Sequence, residues 1–410
     1  MATATPGQSH ARGQASLRVA ICGAGIAGPT LAYWLKRAGF VPTLVEHAPR
    51  LRAGGYVIDF WGLGYEIAER MGLEPDILRT GYRFGELRVV DGEGKRVAGF
   101  GTSVFTELTG GRYVTIARSG LSRLIFEKGA GATETIFGDE IVSLAEHADH
   151  VAVRLKHGGH RRFDLVVGAD GLHSAVRRAA FGPQAQYEKH LGYVVTAFEA
   201  EGYPQRDDGI YVMYCEPGRM LGRVGLRENK TLFLFVFAHD VGPHMPDIAG
   251  QKALLRATYG DGGWECRAIL DALDAAGDIY FDRVSQIRMP RWSSGRIALL
   301  GDAAYCVSLL AGQGTALAML GAYVLAGELA KTNGDHIAAF RNYESKLRAY
   351  MEGKQKGAER FATAFAPKTR FGLWFRNQVL NIASLPGLAK IMVGRDIVET
   401  MKLPDYDWPA

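Results

Sequence analysis

"LRVAICGAGIAGPTLAYWLKRAGFVPTLVEH", residues 17–47, decides the fold. An apolar run over 17–22 leads into Gly23-Ala-Gly25-Ile26-Ala27-Gly28. A stretch with apolar residues at Leu31, Leu35 and Ala38 follows, and then a second apolar run that ends at Glu46. The order is strand, turn, helix, strand, the unit from which parallel sheets are built. Gly23 permits the tight turn, Gly25 lets backbone come close to a pyrophosphate, and Gly28 lets helix and strand pack. The start of the helix, at Ile26 and Ala27, offers unpaired N–H groups to phosphates. Glu46 stands 18 residues beyond Gly28, where a carboxylate can accept both hydroxyls of an adenosine ribose and disfavours a 2′-phosphate. A glycine-rich turn alone carries little. With strands, helix and terminal acid in register it reads as a dinucleotide site, with NAD and FAD both still open.

Two later stretches choose the flavin. "FDLVVGADGLHSAVRR", residues 163–178, is a buried strand ending at Gly168-Ala-Asp170-Gly171, with a helix starting near Ser174. Its plain reading is an Asx turn and an N-capped helix. "GRIALLGDAAYCVSLLAGQGTALAM", residues 295–319, runs a strand into Gly301-Asp302, where a carboxylate can accept a hydroxyl from a polyol chain. Gly312 and Gly314 let backbone amides approach a flat ring, and the helix opening at Thr315 presents its positive end to the anion that accumulates on a reduced flavin. One cradle thus holds the ADP half of FAD and the distant one the flavin half.

Those three motifs, in this order, resemble the single-component FAD-dependent aromatic hydroxylases, the group A flavoprotein monooxygenases. The resemblance spans about residues 17–350. "GGYVIDFWG", "GWECRAIL" and "GAYVLAGELA" look most similar to the compact branch that includes tetracycline-inactivating flavoenzymes. It implies that Glu46 binds the adenosine ribose, Asp302 the ribityl–pyrophosphate region and Arg118 the phosphate or ribityl side. It gives Asp170 to a motif shared between FAD placement and NAD(P)H docking. It sets Arg50 or Arg52 near the adenine, Arg52 being the one carried forward. The implied activity is hydroxylation of an aromatic or phenolic, polycyclic substrate with NADPH or NADH as transient reductant and O2 as co-substrate, through a C4a-hydroperoxyflavin. The chain departs from the family where Tyr305 replaces a usual His, Ser308 and Leu309 replace paired prolines, and Ala316 replaces Asn. Those positions are expected to line the flavin face and the substrate entrance. No catalytic base identifies itself.

The expected fold class is α/β. A Rossmann-like FAD-binding domain takes 17–80, 112–183 and 286–330. A mostly antiparallel substrate-binding sheet is inserted from 81–111 and 184–285, and 331–410 form C-terminal helices that cap or bridge the two. Within the inserted sheet, Phe233, Phe235 and Phe237 share one face by period two. They read either as packing against another layer or as the aromatic wall of a substrate pocket, with Arg223 as the cation on a neighbouring strand. Phe235, Phe237 and Arg223 are carried as candidate substrate residues.

Composition narrows the partners. The 410 residues are 47% hydrophobic and 22% charged with net charge +5, and Lys and Arg are scattered rather than clustered, against nucleic-acid binding. No apolar run reaches the length of a membrane span. Four cysteines without a CxxC pair fit a reducing cytoplasm, and the pairs His147/His150 and His157/His160 lack a third ligand, so no metal is expected. Residues 1–16 lack an apolar core and read as a leader rather than a secretory signal. A monomer or homodimer with a small-molecule aromatic substrate is expected. A halogenase is disfavoured because Trp292 stands alone in "MPRWSSG". A prenyl-chain reductase or a non-catalytic flavin-binding protein of the same fold stays open.

Overall fold

The computed structural model describes residues 16–51, 56–131, 133–242, 245–383, 399 and 401–408. Its organising element is a six-stranded sheet in the order Ser293–Ser294, Ile297–Leu299, Leu165–Gly168, Arg18–Cys22, Val41–Glu46, Glu134–Phe137. Every pairing is parallel except the antiparallel contact of the two-residue edge strand. Parallel strands are covered on both faces and read as continuous apolar runs, as Val19, Ala20 and Ile21 do, each without exposure. The helix Ala27–Arg37 crosses between the first two strands and packs against the helix Gly314–Lys331. That second helix is apolar all round and buried over almost its whole length, as a core helix must be.

A seven-stranded sheet lies beside it in the order Tyr280–Ile287, Glu188–Glu201, Lys230–Phe237, Arg219–Gly225, Ile210–Glu216, Glu86–Val90, Arg96–Gly101. It is antiparallel apart from the pairing of Ile210–Glu216 with Glu86–Val90. One face is covered by the helices Ile248–Tyr259 and Cys266–Ala275, whose Leu255, Tyr259, Ile269 and Leu273 bury against it. The other face meets the loop at 309–310 and a two-stranded ribbon, Val57–Trp61 with Tyr113–Ala117. A separate three-stranded sheet is formed by Ile141–Glu146, Val151–Leu155 and His160–Phe163.

The helix His336–Phe365 runs along Gly314–Lys331 and carries Phe365 and Ala366 to the second sheet. Its Glu359 pairs with Lys189 on that sheet. Helix Arg370–Ala383 continues over the strand Arg96–Gly101. The tail then returns to the first layer, where Tyr406 and Trp408 pack around Trp34 and Tyr323. No helix among the described residues is long and apolar enough to cross a membrane.

Candidate active site

The glycine turn is enforced by its neighbours. Gly23 has φ +106, and a Cβ there would stand 2.4 Å from the carbonyl oxygen of Ala169, so this turn and the Asp170 loop are pressed together. A Cβ on Gly28 would lie 1.9 Å from the Gly23 carbonyl oxygen, which allows helix and strand to touch. Gly25, in contrast, faces open space with nothing within 4 Å. No side chain caps the helix Ala27–Arg37 and no acid occupies its first turn. An empty approach over uncapped amides is what a pyrophosphate needs.

Glu46 ends the second strand at the same place. Its carboxylate accepts the N–H of Ala24 at 2.7 Å and that of Ala48 at 3.0 Å. The acid expected to read a ribose therefore also holds the glycine turn; the His47 Nδ1 stands 3.0 Å from its Oε1, and Oε2 keeps a further lone pair for a hydroxyl.

Asp302 opens a short helix, Asp302–Tyr305, after Gly301 at φ +64. Its Oδ1 lies 3.7 Å from where a Cβ of residue 314 would stand, so the carboxylate and the start of Gly314–Lys331 converge. Burial pushes the Asp302 carboxyl above its ordinary value, and Arg118 opposes the rise. Arg118 begins the helix Arg118–Ala130 and is tied by its backbone N–H to the Tyr56 carbonyl at 3.1 Å. Its guanidinium is half-buried beside Tyr56, Tyr280 and Asp302, without a hydrogen bond or ion pair to a described residue. A sheltered cation without an acceptor among the described residues fits an anionic or hydroxyl-rich ligand.

Asp170 differs. Its Oδ1 takes the Ser174 hydroxyl and its Oδ2 the N–H groups of Ala175 and Val176, at 2.7 and 3.1 Å. The side chain caps its own helix, which is the plain reading of this motif. The arginine that follows was not singled out by sequence. Arg177 is fully buried and donates to the carbonyls of Ala303 and Leu172 at 2.9 and 2.6 Å, joining the loop after Asp170 to the residue after Asp302. Its signal was a cation directly after a buried strand-and-turn motif. Gly312 adopts the left-handed conformation, Gly314 starts the long helix, and Thr315 is buried in its first turn. Arg52 lies outside the described residues.

Two expectations are corrected. Phe233, Phe235 and Phe237 are buried under the outer helices, against Tyr259 and Leu270, and away from the ribbon and the 309–310 loop. Arg223 shares that outer face and is held by Asp207 at 2.5 Å and Glu265 at 3.2 Å. Because strand side chains alternate, the pocket face carries their neighbours. Val195, Met213, Met220 and Val236 meet Leu309 and Leu310, while Tyr211, Leu234 and Tyr280 meet Tyr56 and Val57. Tyr305, expected at the flavin face, points into the first core. It is buried against Trp292, its hydroxyl lies 3.2 Å from that of Tyr343, and it fills space that a Cβ on Gly321 would need.

The comparisons follow this geometry. Residues 16–350 match the family model described as FAD binding domain. A protein named flavin-dependent monooxygenase, from an unknown prokaryotic organism, is 36% identical over 82% of this chain and 87% of its own length. One of the same name from Legionella longbeachae is 35% identical over 83% and 87%. The crystal structure of tetracycline destructase Tet(55) superposes with a TM-score of 0.82 at 32% identity, covering 95% of this chain and 99% of that one. Klebsiella pneumoniae HpxO, solved with FAD and uric acid, shares the fold at 24% identity with a TM-score of 0.79.

Proposed function

Since the chain belongs to the FAD binding domain family and is an FAD-dependent monooxygenase, we propose that it uses NAD(P)H and O2 to hydroxylate a fused-ring phenol or enol. The observation that carries this reading is the convergence of the Arg118 guanidinium, unpaired among the described residues, the Asp302 carboxylate and the loop at 312–314 on one side of the apolar inner face of the second sheet. Bound FAD would supply the redox chemistry, taking a hydride and activating oxygen. The chain's residues do the rest. The glycine turn and Glu46 would hold the pyrophosphate and ribose. Arg118 would meet a phosphate or the ribityl chain, Asp302 would accept a ribityl hydroxyl, and the start of Gly314–Lys331 would direct its positive end at the ring.

The substrate class rests on the inner face. Leu234 offers apolar contact with Tyr211 and Tyr280 as aromatic edges, each only partly buried, over a floor of fully buried Val195 and Val236. The meander arginines Arg219 and Arg223 are both engaged by acids, so neither is free to clamp a small carboxylate. The likeness to a tetracycline destructase at 32% identity favours the same multi-ring class. The test is stimulated NADPH oxidation by purified holoprotein, with hydroxybenzoates and polycyclic phenols in competition and isotopically labelled O2. Label in the product and preference for the polycycle are expected. Label from water, or a preference for the small acids, overturns the reading.

A further inference from the structure

Asp59 lies on the strand Val57–Trp61, opposite Thr115 of the paired strand. Alternation sends Ile58 and Phe60 into the first core, at 8% and 1% exposure. Val57 faces the other way, toward Ala197, Val224 and Leu232 of the second sheet, and Asp59 shares that side. One carboxylate oxygen, Oδ1, accepts two hydroxyls, from Tyr113 at 2.7 Å and Thr115 at 2.6 Å. The other, Oδ2, has no hydrogen-bond partner among the described residues. Asp59 lines a narrow cleft with free space of about 10 Å³, room for roughly one water, together with Trp61, Gly312, Gln313 and Ala316, and so faces the loop assigned to the flavin.

Its surroundings suit proton exchange. The Asp59 side chain is exposed to the cleft, whose walls strip away part of its water and raise its carboxyl above the ordinary value, while the Thr115 and Tyr113 hydroxyls oppose the rise. Facing it are Tyr113 and, on the sheet, Tyr211, both phenols driven upward by burial and by Asp59 itself. Across the cleft, Glu399 is engaged by Tyr350 and by Lys354 at 3.3 Å. No cation forms an ion pair with Asp59 among the described residues. A carboxylate held by two hydroxyls, with one oxygen open to a cleft, is a positioned proton acceptor.

We propose that Asp59 is a catalytic residue that accepts, through Oδ2, the proton of an acidic phenol or enol hydroxyl on the substrate. The substrate O–H bond breaks, its electron pair stays on oxygen, and the proton passes to Oδ2 and later to solvent. The substrate becomes a more electron-rich phenolate or enolate, ready for an electrophilic oxygen. This rests on the monooxygenase reading above. Tyr113 and Thr115 are positioning residues that fix the carboxylate.

The test uses the FAD holoprotein and alizarin, a three-ring phenol whose visible band moves to longer wavelength as it ionises. Bound to the wild type, the band should lie at longer wavelength than when bound to Asp59→Asn at the same pH, because a hydroxyl donating to a carboxylate is polarised toward its anion. Tyr113→Phe removes one donor to Oδ1 and leaves a more basic carboxylate, so it should move the band further. Equal FAD content shows that each variant is folded. Identical bands in wild type and Asp59→Asn, or no binding to the wild type, overturn the proposal whether or not any probe is turned over. Stimulated NADPH oxidation tests the monooxygenase reading separately. If that holds, Asp59→Asn should lower the stimulated rate by about 100-fold or more near neutral pH. The deficit should shrink as pH rises through the probe's own ionisation. A deficit independent of pH would mark a merely structural role and reject the base.

Discussion

The carboxylate of Glu46 accepts the backbone N–H of Ala24 at 2.7 Å, so the acid at the end of one strand pins the glycine turn at the end of its neighbour. Glu46→Ala leaves the Ala24 and Ala48 amides without their acceptor as well as removing the ribose contact. Each loss is on the order of 1–3 kcal/mol for a sheltered group. FAD affinity should fall, and the ligand-free variant should exchange its amides over 23–28 faster than wild type. Unchanged exchange with weakened FAD would restrict Glu46 to the ribose.

Arg177 links two loops that lie far apart in sequence. Arg177→Met keeps much of the volume but leaves the buried carbonyl of Ala303 and the part-buried one of Leu172 short of a donor. A stability loss of about 2–4 kcal/mol is expected for two such groups, read as a lower urea midpoint. FAD retention should weaken with it, because Ala303 follows Asp302. A midpoint within error of wild type would remove Arg177 from this role.

Asp302 gives a pH dependence with a definite sign. Its carboxyl is raised by burial, with Arg118 opposing and Asp282 reinforcing the rise. The folded, ligand-free protein therefore holds this proton more tightly than the unfolded chain. The stability it contributes is full below the ordinary carboxylate value and is lost as pH climbs through the raised one. A ribityl hydroxyl donating to Asp302 favours the carboxylate, so FAD affinity should increase with pH over the same window. Asp302→Asn should flatten both slopes. Fluorescence titration of FAD and urea unfolding across that window provide the check, and an unaltered slope in the variant would sink the assignment.

Phe235→Ala should act on stability rather than on substrate. The ring is fully buried against Phe198 and Tyr259 beneath the outer helices. Its removal should cost about 3–5 kcal/mol and leave the KM of the folded fraction unchanged. Leu234, one residue away, faces Tyr211 and Tyr280, and Leu234→Ala should change substrate preference instead. A KM effect confined to Phe235→Ala would reverse this assignment of faces.

That one-residue difference marks the limit of what could be read from sequence. The GAGIAG turn, Glu46 and Asp302 announce themselves because each motif is local, with glycines and an acid at fixed offsets along one strand and turn. The strand 230–237 is apolar on both faces, Phe on one and Leu or Val on the other. Alternation therefore could not say which face meets helices and which meets the site, and only the tertiary partner decides that. Tyr305 sits within a recognised motif, yet its direction is set by Gly321, far along the next helix. Asp59 was invisible for another reason. A single acid inside "GGYVIDFWG" has no spacing signature, and its hydroxyl partners come from residues 113 and 115.

Ser308 adopts φ +108 and ψ +139, a region that L side chains enter at a cost of about 1–3 kcal/mol. Its hydroxyl accepts the Leu310 amide at a long 3.3 Å, which returns little of that cost. Glycine can take this conformation freely but loses more chain entropy on folding. Ser308→Gly should therefore raise the stability of the ligand-free protein, by about 1 kcal/mol net. The proline usual in similar proteins is excluded here, because its φ is locked near −65°. Ser308→Pro must rebuild the loop that carries Leu309 and Leu310 onto the inner face of the second sheet. It should lower Tm and weaken FAD binding together. A Ser308→Gly variant less stable than wild type, or a Ser308→Pro variant with full FAD affinity, would show that the loop does not hold this backbone conformation in solution.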